Sequence, residues 1–516
     1  EKARRHYVRA AEGESPYPKA ARKLAYMAYR EGDLAHGANY AQKAVDLGIQ
    51  EDSLHAMVAD FYTWQGQLEQ ATREMDGLDE DTTAGPIVKL ARAHLLTQQN
   101  QLKEARKLLQ RTEVKGDLRL LKAVYTCALL RQEGRTEEAI QGLQQAAERY
   151  SDIAWPSLLL IDLEMREGRE KQALERVGQL MEKMQDKPTV RFRLALVLSN
   201  HGHVGRSLQV ARSCTDAGGL AVPAYLLMSE LCQKQGMPFL ALEHAEDALE
   251  VEPDHTGALL AAASGGLSTQ RPSLAIRYSR KALELEPENA EGYRLLGTAQ
   301  RHADQIDASL ENLKKACELA PESGNAHYSY GLSLNAAGKK KEAQQQWERA
   351  TELMNNPCPA YTRLGMMAQQ EDQTDKARNY YARAVEADPR AAAIAANNLA
   401  DILLDEDESV PLALALAYTA YTNAEIESLR IQAADTLATA FIKQGYPARA
   451  VKPARIAAQA EPDNQQRQLR LGIAEAAAGN LKEAKNALKK VLSMGGKEQL
   501  AQAARKLLSQ IERQET

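Results

Sequence analysis

The sequence has few cysteines, and their arrangement excludes two kinds of stabilising framework. Only five occur among 516 residues, and no two of them form a Cys-x-x-Cys pair. A zinc ribbon needs closely spaced cysteines, and a disulfide-rich domain needs many cysteines that pair. We therefore expect the cysteines to be small buried side chains, which do not reveal the cellular compartment.

Long hydrophobic runs and an excess of positive charge are also missing. The most apolar stretch, PLALALAYTAY from Pro411, is too short to span a bilayer. The formal net charge is -5 and the pI is about 6.2, so the chain lacks the broad basic surface of a nucleic-acid-binding protein. No membrane-spanning segment and no nucleic-acid partner are predicted.

Sequence motifs for catalysis and for metal binding are absent as well. There is no Walker loop, dinucleotide fingerprint, HExxH or GxSxG. His201 and His203 come closest to a metal motif, but the further ligands that zinc requires are not found near them. We predict no catalytic residues, no cofactor and no metal, and therefore a protein that is not an enzyme.

What the sequence does contain is a repeat of 34 residues. AEGYRLLGTAQRHADQIDASLENLKKACELAPES begins at Ala290, and the similar GNAHYSYGLSLNAAGKKKEAQQQWERATELMNNP begins at Gly324. Counting backward in the same steps places further starts at 256, 222, 188, 154, 120, 86, 52 and 18. A fixed period of this length is typical of an array of helical repeats.

Small residues recur at fixed positions of the unit, where two helices of a pair would cross closely. The eighth position holds Ala25, Ala59, Ala93, Cys127, Ile161, Ala195, Ser229, Ala263, Gly297, Gly331 and Gly365. The twentieth position is also small, as at Ala105 and Ala241. Glycine often occupies the turn between the helices, where a left-handed backbone ends a helix with little strain. The unit is therefore predicted to be a helix-turn-helix.

This pattern resembles the tetratricopeptide repeat family over essentially the whole chain. The resemblance implies an all-α fold, a right-handed α-solenoid (superhelix) of about 14 repeats with a carboxyl-terminal capping helix. Residues 1–17 are predicted to be the second helix of a preceding, truncated repeat, which would make the chain a fragment. The remaining predicted boundaries are eleven regular repeats over 18–391, an irregular repeat with a five-residue insertion over 392–430, two repeats over 431–496 and a capping helix over 497–516. One residue of the insertion is expected at the start of the irregular repeat and the rest in the acidic stretch from Asp405 to Pro411.

The resemblance also implies where a partner binds, because the first helix of each repeat lines a concave groove at positions 2, 5, 9, 12 and 13. The predicted partner-binding groove contains Lys19, Arg22, Tyr26, Tyr29, Arg30, Asp60, Trp64, Trp155, Arg294, Arg301, Tyr328, Asn397 and Asp401. The lining changes from basic and aromatic to acidic along the chain, which could orient an extended partner. Each of these residues is also compatible with an ordinary solvated helix face.

The late repeats, including NNLADILL, GYPARAVKPARIAAQAEPDN and GNLKEAKNALKKVL, are similar in style to large bacterial proteins of exopolysaccharide synthesis and export. That resemblance implies a scaffold in the periplasm or cell envelope. Its partner would be a glycan-modifying enzyme or an outer-membrane export component. Two alternatives stay open: a cytoplasmic assembly scaffold, and the substrate-selecting arm of a larger enzyme such as a glycosyltransferase.

Overall fold

The computed structural model describes residues 2–13, 16–78, 85–406, 409–495 and 497–515. Within these ranges the chain forms 30 α-helices and two short 3-10 helices, and no strand. The prediction of an all-α repeat fold is therefore confirmed. The chain divides into two compact units, residues 1–253 and 254–516.

The amino-terminal unit contains fifteen of the α-helices, and a 3-10 helix, Gly218–Leu220, precedes the fourteenth. In chain order they are α1 (Lys2–Glu12), α2 (Pro18–Arg30), α3 (Leu34–Asp46), α4 (Asp52–Trp64), α5 (Leu68–Met75), α6 (Gly85–Gln98), α7 (Leu102–Arg111), α8 (Leu118–Gln132), α9 (Thr136–Arg149), α10 (Trp155–Arg166), α11 (Glu170–Lys183), α12 (Pro188–Asn200), α13 (Val204–Arg212), α14 (Ala221–Lys234) and α15 (Pro238–Val251).

The carboxyl-terminal unit contains the other fifteen, and a 3-10 helix, Pro447–Ala450, precedes the twelfth of them. In chain order they are α16 (Thr256–Ser268), α17 (Pro272–Leu285), α18 (Ala290–His302), α19 (Ile306–Leu319), α20 (Gly324–Ala336), α21 (Lys340–Leu353), α22 (Cys358–Gln370), α23 (Thr374–Ala387), α24 (Ala393–Asp405), α25 (Val410–Asn423), α26 (Glu427–Lys443), α27 (Val451–Ala460), α28 (Gln465–Ala477), α29 (Leu481–Ser493) and α30 (Glu498–Glu515).

Each even-numbered helix from α2 to α28 packs against the helix that follows it. From α2 to α24, the first helix of each pair begins within two residues of the start counted from the sequence. The small eighth position has the role expected for it. A β-carbon at Gly331 would lie 2.5 Å from Nε1 of Trp347, and one at Gly365 would lie 2.6 Å from the ring of Tyr381. Glycine thus lets a large buried side chain of the second helix lie against the first.

The turn between paired helices has the same left-handed backbone whether or not glycine is present. In steps of 34 residues, φ is positive at Gly32, Gly66, Asn100, Gly134, Gly168, Gly202, Gly236, Gln270, Asp304, Gly338 and Asp372. The four residues other than glycine have φ of 62, 58, 60 and 57°. Asn100, Asp304 and Asp372 are of the types that tolerate this region best after glycine, whereas helix packing imposes it on Gln270 against its preference.

The irregular repeat contains its extra residues in an unexpected place. We expected most of the insertion in the acidic stretch from Asp405 to Pro411, of which Asp407 and Glu408 lie outside the described residues. Instead, α26 begins at Glu427, ahead of the predicted repeat start at Ile431, and has 17 residues where α24 has 13. Most of the extra length is thus one additional helical turn, because a turn of α-helix takes about 3.6 residues.

Candidate partner-binding grooves

A cavity of about 570 Å³ opens among the first helices of the amino-terminal unit. Arg22, Tyr26, Tyr29 and Arg30 of α2 and Trp155 of α10 all line it, so the structure brings together five of the predicted groove residues. The rest of the lining is Lys23, Met27, Glu51, Ile87, Asp117, Leu118, Leu120 and Leu121. The cavity therefore has apolar walls and charged groups of both signs.

The two arginines at this cavity are each paired with an acid that lies outside α2. Arg22 Nη1 lies 2.5 Å from Glu51 Oε1, and Arg30 Nη1 lies 3.3 Å from Asp117 Oδ2. All four side chains are between 32% and 62% exposed, so water screens both ion pairs. Burial raises the pKa of Tyr26, whose hydroxyl lies 2.6 Å from Ser53 Oγ.

A buried polar network joins α2, α4, α6 and α8. The hydroxyls of Tyr29 and Tyr125 both donate to Oδ2 of Asp60, the former at 2.7 Å, and His94 Nδ1 lies 2.7 Å from Oδ1. Burial, followed by the charge of Asp60, raises the pKa of both tyrosines well above the ordinary value. They therefore stay protonated as donors, and the imidazole of His94 stacks on the ring of Tyr125 with centroids 4.7 Å apart.

The turn after α2 is covered by two helices that come much later in the sequence. A β-carbon at Gly32 would lie 2.2 Å from the ring of Trp155 in α10. Arg193 of α12 donates through Nη2 to the carbonyl oxygen of Gly32 at 2.7 Å. The first repeat of this unit is thus in contact with the fifth and sixth.

These contacts correct the expectation of an open, exposed groove at several predicted residues. Tyr29, Asp60 and Trp155 are only 4%, 0% and 3% exposed, because side chains from non-adjacent repeats meet and cover them. Lys19 is exposed as expected. Trp64 is half-buried, its Nε1 has no hydrogen-bond acceptor among the described residues, and it lines a second cavity of about 260 Å³ together with Asp162 and Arg166. Whether any of these residues contacts a partner stays a prediction.

In the carboxyl-terminal unit the predicted arginines of α18 differ from each other. Arg294 is paired with Glu291 one turn away, with Nη2 and Oε1 2.5 Å apart. Arg301 donates through Nη2 to Nε2 of His302 at 3.1 Å, while its buried Nε has no acceptor among the described residues. Burial, followed by the charge of Arg363 in α22, lowers the pKa of Arg301, and Tyr328 of α20 acts in the opposite direction.

The predicted acidic end of the groove is partly buried. Thr436 donates to Oδ1 of Asp401 at 2.8 Å, and Asn397 Nδ2 lies 3.4 Å from Oδ2. Burial raises the pKa of Asp401 to about 6, and the charges of Asp405 and Asp435 act in the same direction. Asn397 is only 3% exposed, so the expectation that it faces an open groove is wrong: α24 is covered there by its neighbours.

Several residues that build these sites were missed by counting along the sequence. Tyr125, Arg193, Arg363, Thr436 and Arg470 all stand at the sixth position of their units. The groove positions used for the prediction did not include the sixth. In the structure, this position contributes the hydroxyl of Tyr125, the guanidinium of Arg193 and the hydroxyl of Thr436 to contacts between repeats.

Two further searches of the described residues gave negative results. No group of three or more His, Cys, Asp or Glu side chains in the described ranges is arranged to hold a metal ion. Among the helices that the structure describes, none combines the length and the apolar character needed to cross a bilayer.

Comparison with known proteins gives one sequence match to a family and several likenesses of fold. Residues 359–390, which lie in the eleventh unit, match the family described as Tetratricopeptide repeat. No curated protein matches the sequence.

The solved structures are distant in sequence. The APC/C hetero-tetramer Cut9–Hcn1 is 15% identical with a TM-score of 0.42, and the match covers 99% of this chain and 98% of that one. The monomeric IFIT1 mutant with m7Gppp-AAAA is 14% identical with a TM-score of 0.47, over 90% and 95% of the two chains. MamA from Desulfovibrio magneticus RS-1 is 20% identical with a TM-score of 0.30, over 33% and 95%. At these identities the likeness is one of helical repeat fold alone.

Proposed function

We propose that this chain is a non-catalytic repeat scaffold that binds a protein partner in the cavity of its amino-terminal unit. The observation that carries the proposal is that Arg22, Tyr26 and Arg30 meet apolar side chains of α6, α8 and α10 around one cavity of about 570 Å³. That volume is within the range of about 300 to 1,000 Å³ that is usual for ligand pockets.

The lining indicates which kind of peptide segment would bind. Ile87, Leu118 and Leu121 offer an apolar wall, and aromatic and arginine side chains are the usual anchors of an interface. The ion pairs of Arg22 and Arg30 are half-exposed, so a carboxylate of the partner can replace Glu51 or Asp117 at low cost. A segment with an apolar side chain beside an acidic one fits this lining.

More specifically, we propose that the scaffold lies in the periplasm and recruits glycan-modifying enzymes or export components of a bacterial envelope exopolysaccharide system. This more specific proposal is supported by the resemblance of the late repeats to large bacterial proteins of exopolysaccharide synthesis and export, and not by the geometry of the cavity. A cytoplasmic assembly scaffold would have the same cavity, so the compartment of the captured partner decides between the two.

The test is affinity capture from fractionated native cells, with the chain as bait and mass spectrometry as the measurement. The variant combines Tyr26→Ala with Arg30→Ala. The matched control combines Tyr418→Ala with Arg206→Ala, which removes an exposed tyrosine and an exposed arginine outside the cavity.

We expect the wild-type chain and the control to retain glycan hydrolases, deacetylases or outer-membrane export proteins, and the cavity variant to lose them. Capture of cytosolic complexes alone would refute the envelope proposal. A partner retained equally by both variants would show that the cavity is not the binding site.

A further inference from the structure

The second cavity of the amino-terminal unit, of about 260 Å³, has no lining residue in common with the first. Its walls come from α4, α6, α8, α9 and α10, together with Gly66 of the turn after α4. Because α9 is the second helix of its pair and contributes Leu143, the cavity extends between paired helices, beyond the surface of the first helices.

The buried part of the lining is mostly hydrophobic. Four hydrophobic side chains, each between 2% and 5% exposed, contribute to it: Val124, Cys127, Leu143 and Leu163. Burial raises the pKa of Cys127 to about 11, so its thiol carries no charge at neutral pH. The charged lining residues are closer to water: Asp162 and Arg166 have 26% and 55% of their side chains exposed, and Arg131 is partly exposed. The cavity thus has an apolar wall and a charged rim.

Several polar groups of the lining already have partners. The hydroxyl of Thr63 donates to a backbone carbonyl oxygen at 2.9 Å. Asp162 accepts a hydrogen bond from Nε of Arg166 at 2.8 Å, and its other oxygen lies 2.8 Å from Nε2 of His201. The indole Nε1 of Trp64 differs, because it is buried and has no acceptor among the described residues. A buried N–H without an acceptor is a cost to the folded state, which a ligand oxygen can remove.

The ring of Trp64 is held in position by its neighbours. Its centroid lies 4.7 Å from that of His94 and 6.3 Å from that of Trp155. Neither ring supplies an acceptor to Nε1. A ligand oxygen would therefore meet a donor whose position is already fixed, which lowers the entropy cost of binding.

We propose that the second cavity binds a small uncharged molecule made of an aromatic ring with a carbonyl substituent. An apolar cavity of about 150 Å³ stays dry and binds benzene, so about 260 Å³ is sufficient for a ring with a short substituent. The ring packs against Val124, Leu143 and Leu163, and the carbonyl oxygen accepts the hydrogen bond of Trp64 Nε1. A carboxylate is a poorer ligand, because burying its charge against an apolar wall is costly.

The experiment compares three probes on the full chain by fluorine NMR. The first is para-fluoroacetophenone, the second is para-fluoroethylbenzene, which lacks the carbonyl oxygen, and the third is para-fluorobenzoate, which is charged. A second measurement follows the indole N–H signals of the 3 tryptophans by nitrogen-edited proton NMR. The signal of Trp64 is identified by its absence in Trp64→Phe.

Two variants test the site, and each has a matched control. Trp64→Phe removes the donor and keeps an aromatic ring, whereas Trp347→Phe removes an indole of the other unit that already donates to a backbone carbonyl oxygen at 3.3 Å. Ala128→Phe fills the cavity with a ring, whereas Ala123→Phe makes the same change on α8 outside the lining.

We expect the ketone to bind the wild type about threefold to tenfold more tightly than the ethylbenzene, which is the contribution of one hydrogen bond. Only the ketone should shift the N–H signal of Trp64 downfield. In Trp64→Phe the two affinities should become equal, and Ala128→Phe should weaken both by more than about tenfold because the new ring occupies the same space. Both controls should change binding by less than about twofold. The combined change of Tyr26 and Arg30 to alanine should leave it unchanged, which separates this outcome from that of the first proposal.

Equal affinities of the ketone and the ethylbenzene for the wild type, or no binding of either, would overturn the proposal. So would a preference for the ketone that persists in Trp64→Phe, or an equal loss in the controls. Tighter binding of the benzoate would replace the proposal with an anion site at Arg131. Because Trp64→Phe is judged by the ratio of two affinities, it tests the site even if Ala128→Phe does not fold.

Discussion

The two units contain the same repeat pattern, but the charged side chains predicted to face their grooves differ in burial and in hydrogen bonding. In the amino-terminal unit, Asp60 is fully buried and receives hydrogen bonds from two tyrosines of other repeats. In the carboxyl-terminal unit, Arg301 and Arg363 form no ion pair with a carboxylate of the described residues, and burial raises the pKa of Asp401 to about 6. The same packing positions thus define the helices of both units, while the residues between them decide whether polar groups on the first helices are satisfied by side chains of other repeats.

Among the substitutions that test this difference between the units, Asp60→Ala is expected to have the largest effect on stability. Removing the carboxylate leaves two tyrosine hydroxyls and His94 Nδ1 buried without their acceptor, so the free energy of unfolding of the amino-terminal unit should fall by about 3 to 5 kcal/mol. The measurement is urea unfolding followed by tryptophan fluorescence, since Trp64 and Trp155 report on this unit and Trp347 on the other.

Asp117→Ala is the control for that change. It removes an acid of the same unit whose ion pair with Arg30 is largely exposed, and it should cost no more than about 1 kcal/mol. A similar cost for both substitutions would mean that the buried network contributes no more than a surface ion pair.

The second prediction tests how much the contact between distant repeats of the amino-terminal unit contributes to stability. Gly32 and Gly236 have nearly equal φ, 69 and 68°, but only at Gly32 would a β-carbon collide with another side chain, that of Trp155. Gly236→Ala should cost about 1 kcal/mol for its backbone conformation. Gly32→Ala should cost about 1 to 3 kcal/mol more for overpacking, measured by the same unfolding experiment.

If the two glycine variants lost the same stability, the packing of Trp155 against the first turn would not contribute. A shift in the emission of Trp155 in Gly32→Ala alone would be an independent sign that the contact has moved.

The smallest expected effect is a pH dependence of the stability of the carboxyl-terminal unit. The pKa of Asp401 is raised to about 6 from 3.8, so the folded state binds a proton more tightly than the unfolded state. The stability of the carboxyl-terminal unit should therefore fall as pH rises from about 4 to about 6, and the full cost should be present above that range. Asp401→Asn should raise stability at pH 7 by about 1 to 2 kcal/mol and leave it unchanged near pH 4.

The measurement is the free energy of unfolding of the wild type and of Asp401→Asn, determined by denaturation at several pH values across this range. A constant difference between them at every pH would contradict an elevated pKa. Thr436, which donates to Asp401, can still donate to the amide oxygen of asparagine.

The helices could be predicted from the sequence because their signals are local. Small residues such as Gly331 and Gly365 recur with the period of the repeat, and the large side chains that fill the space they leave recur with the same period. The irregular repeat was expected at residues 392–430, and the extra turn at the start of α26 was not expected. A helix can take up extra residues without a change in turn composition, so no turn signal marked that position.

The candidate sites were only partly predictable, because they depend on contacts between units of the repeat that are not adjacent. The groove positions include Arg22, Tyr26 and Arg30, and these three residues line one cavity. They gave no sign that Tyr29 and Asp60 would be covered by Tyr125, which is 96 residues from Tyr29 in the chain. The sixth position of each unit, had it been counted, would have added Tyr125 and Arg363.

The hydrogen bonds that join the first repeat to the fourth and sixth also bear on how the chain folds. In a simple repeat array each unit contacts only its neighbours, so structure can grow from any point and fray from either end. The contacts of Tyr29 with Tyr125 and of Gly32 with Arg193 span 96 and 161 residues. Contacts between residues so far apart in the chain form slowly, and they make the stabilities of the repeats that they join depend on one another. The amino-terminal unit should therefore assemble and unfold as one cooperative block, whereas the carboxyl-terminal unit, whose contacts described above join nearby repeats, can lose its repeats one after another.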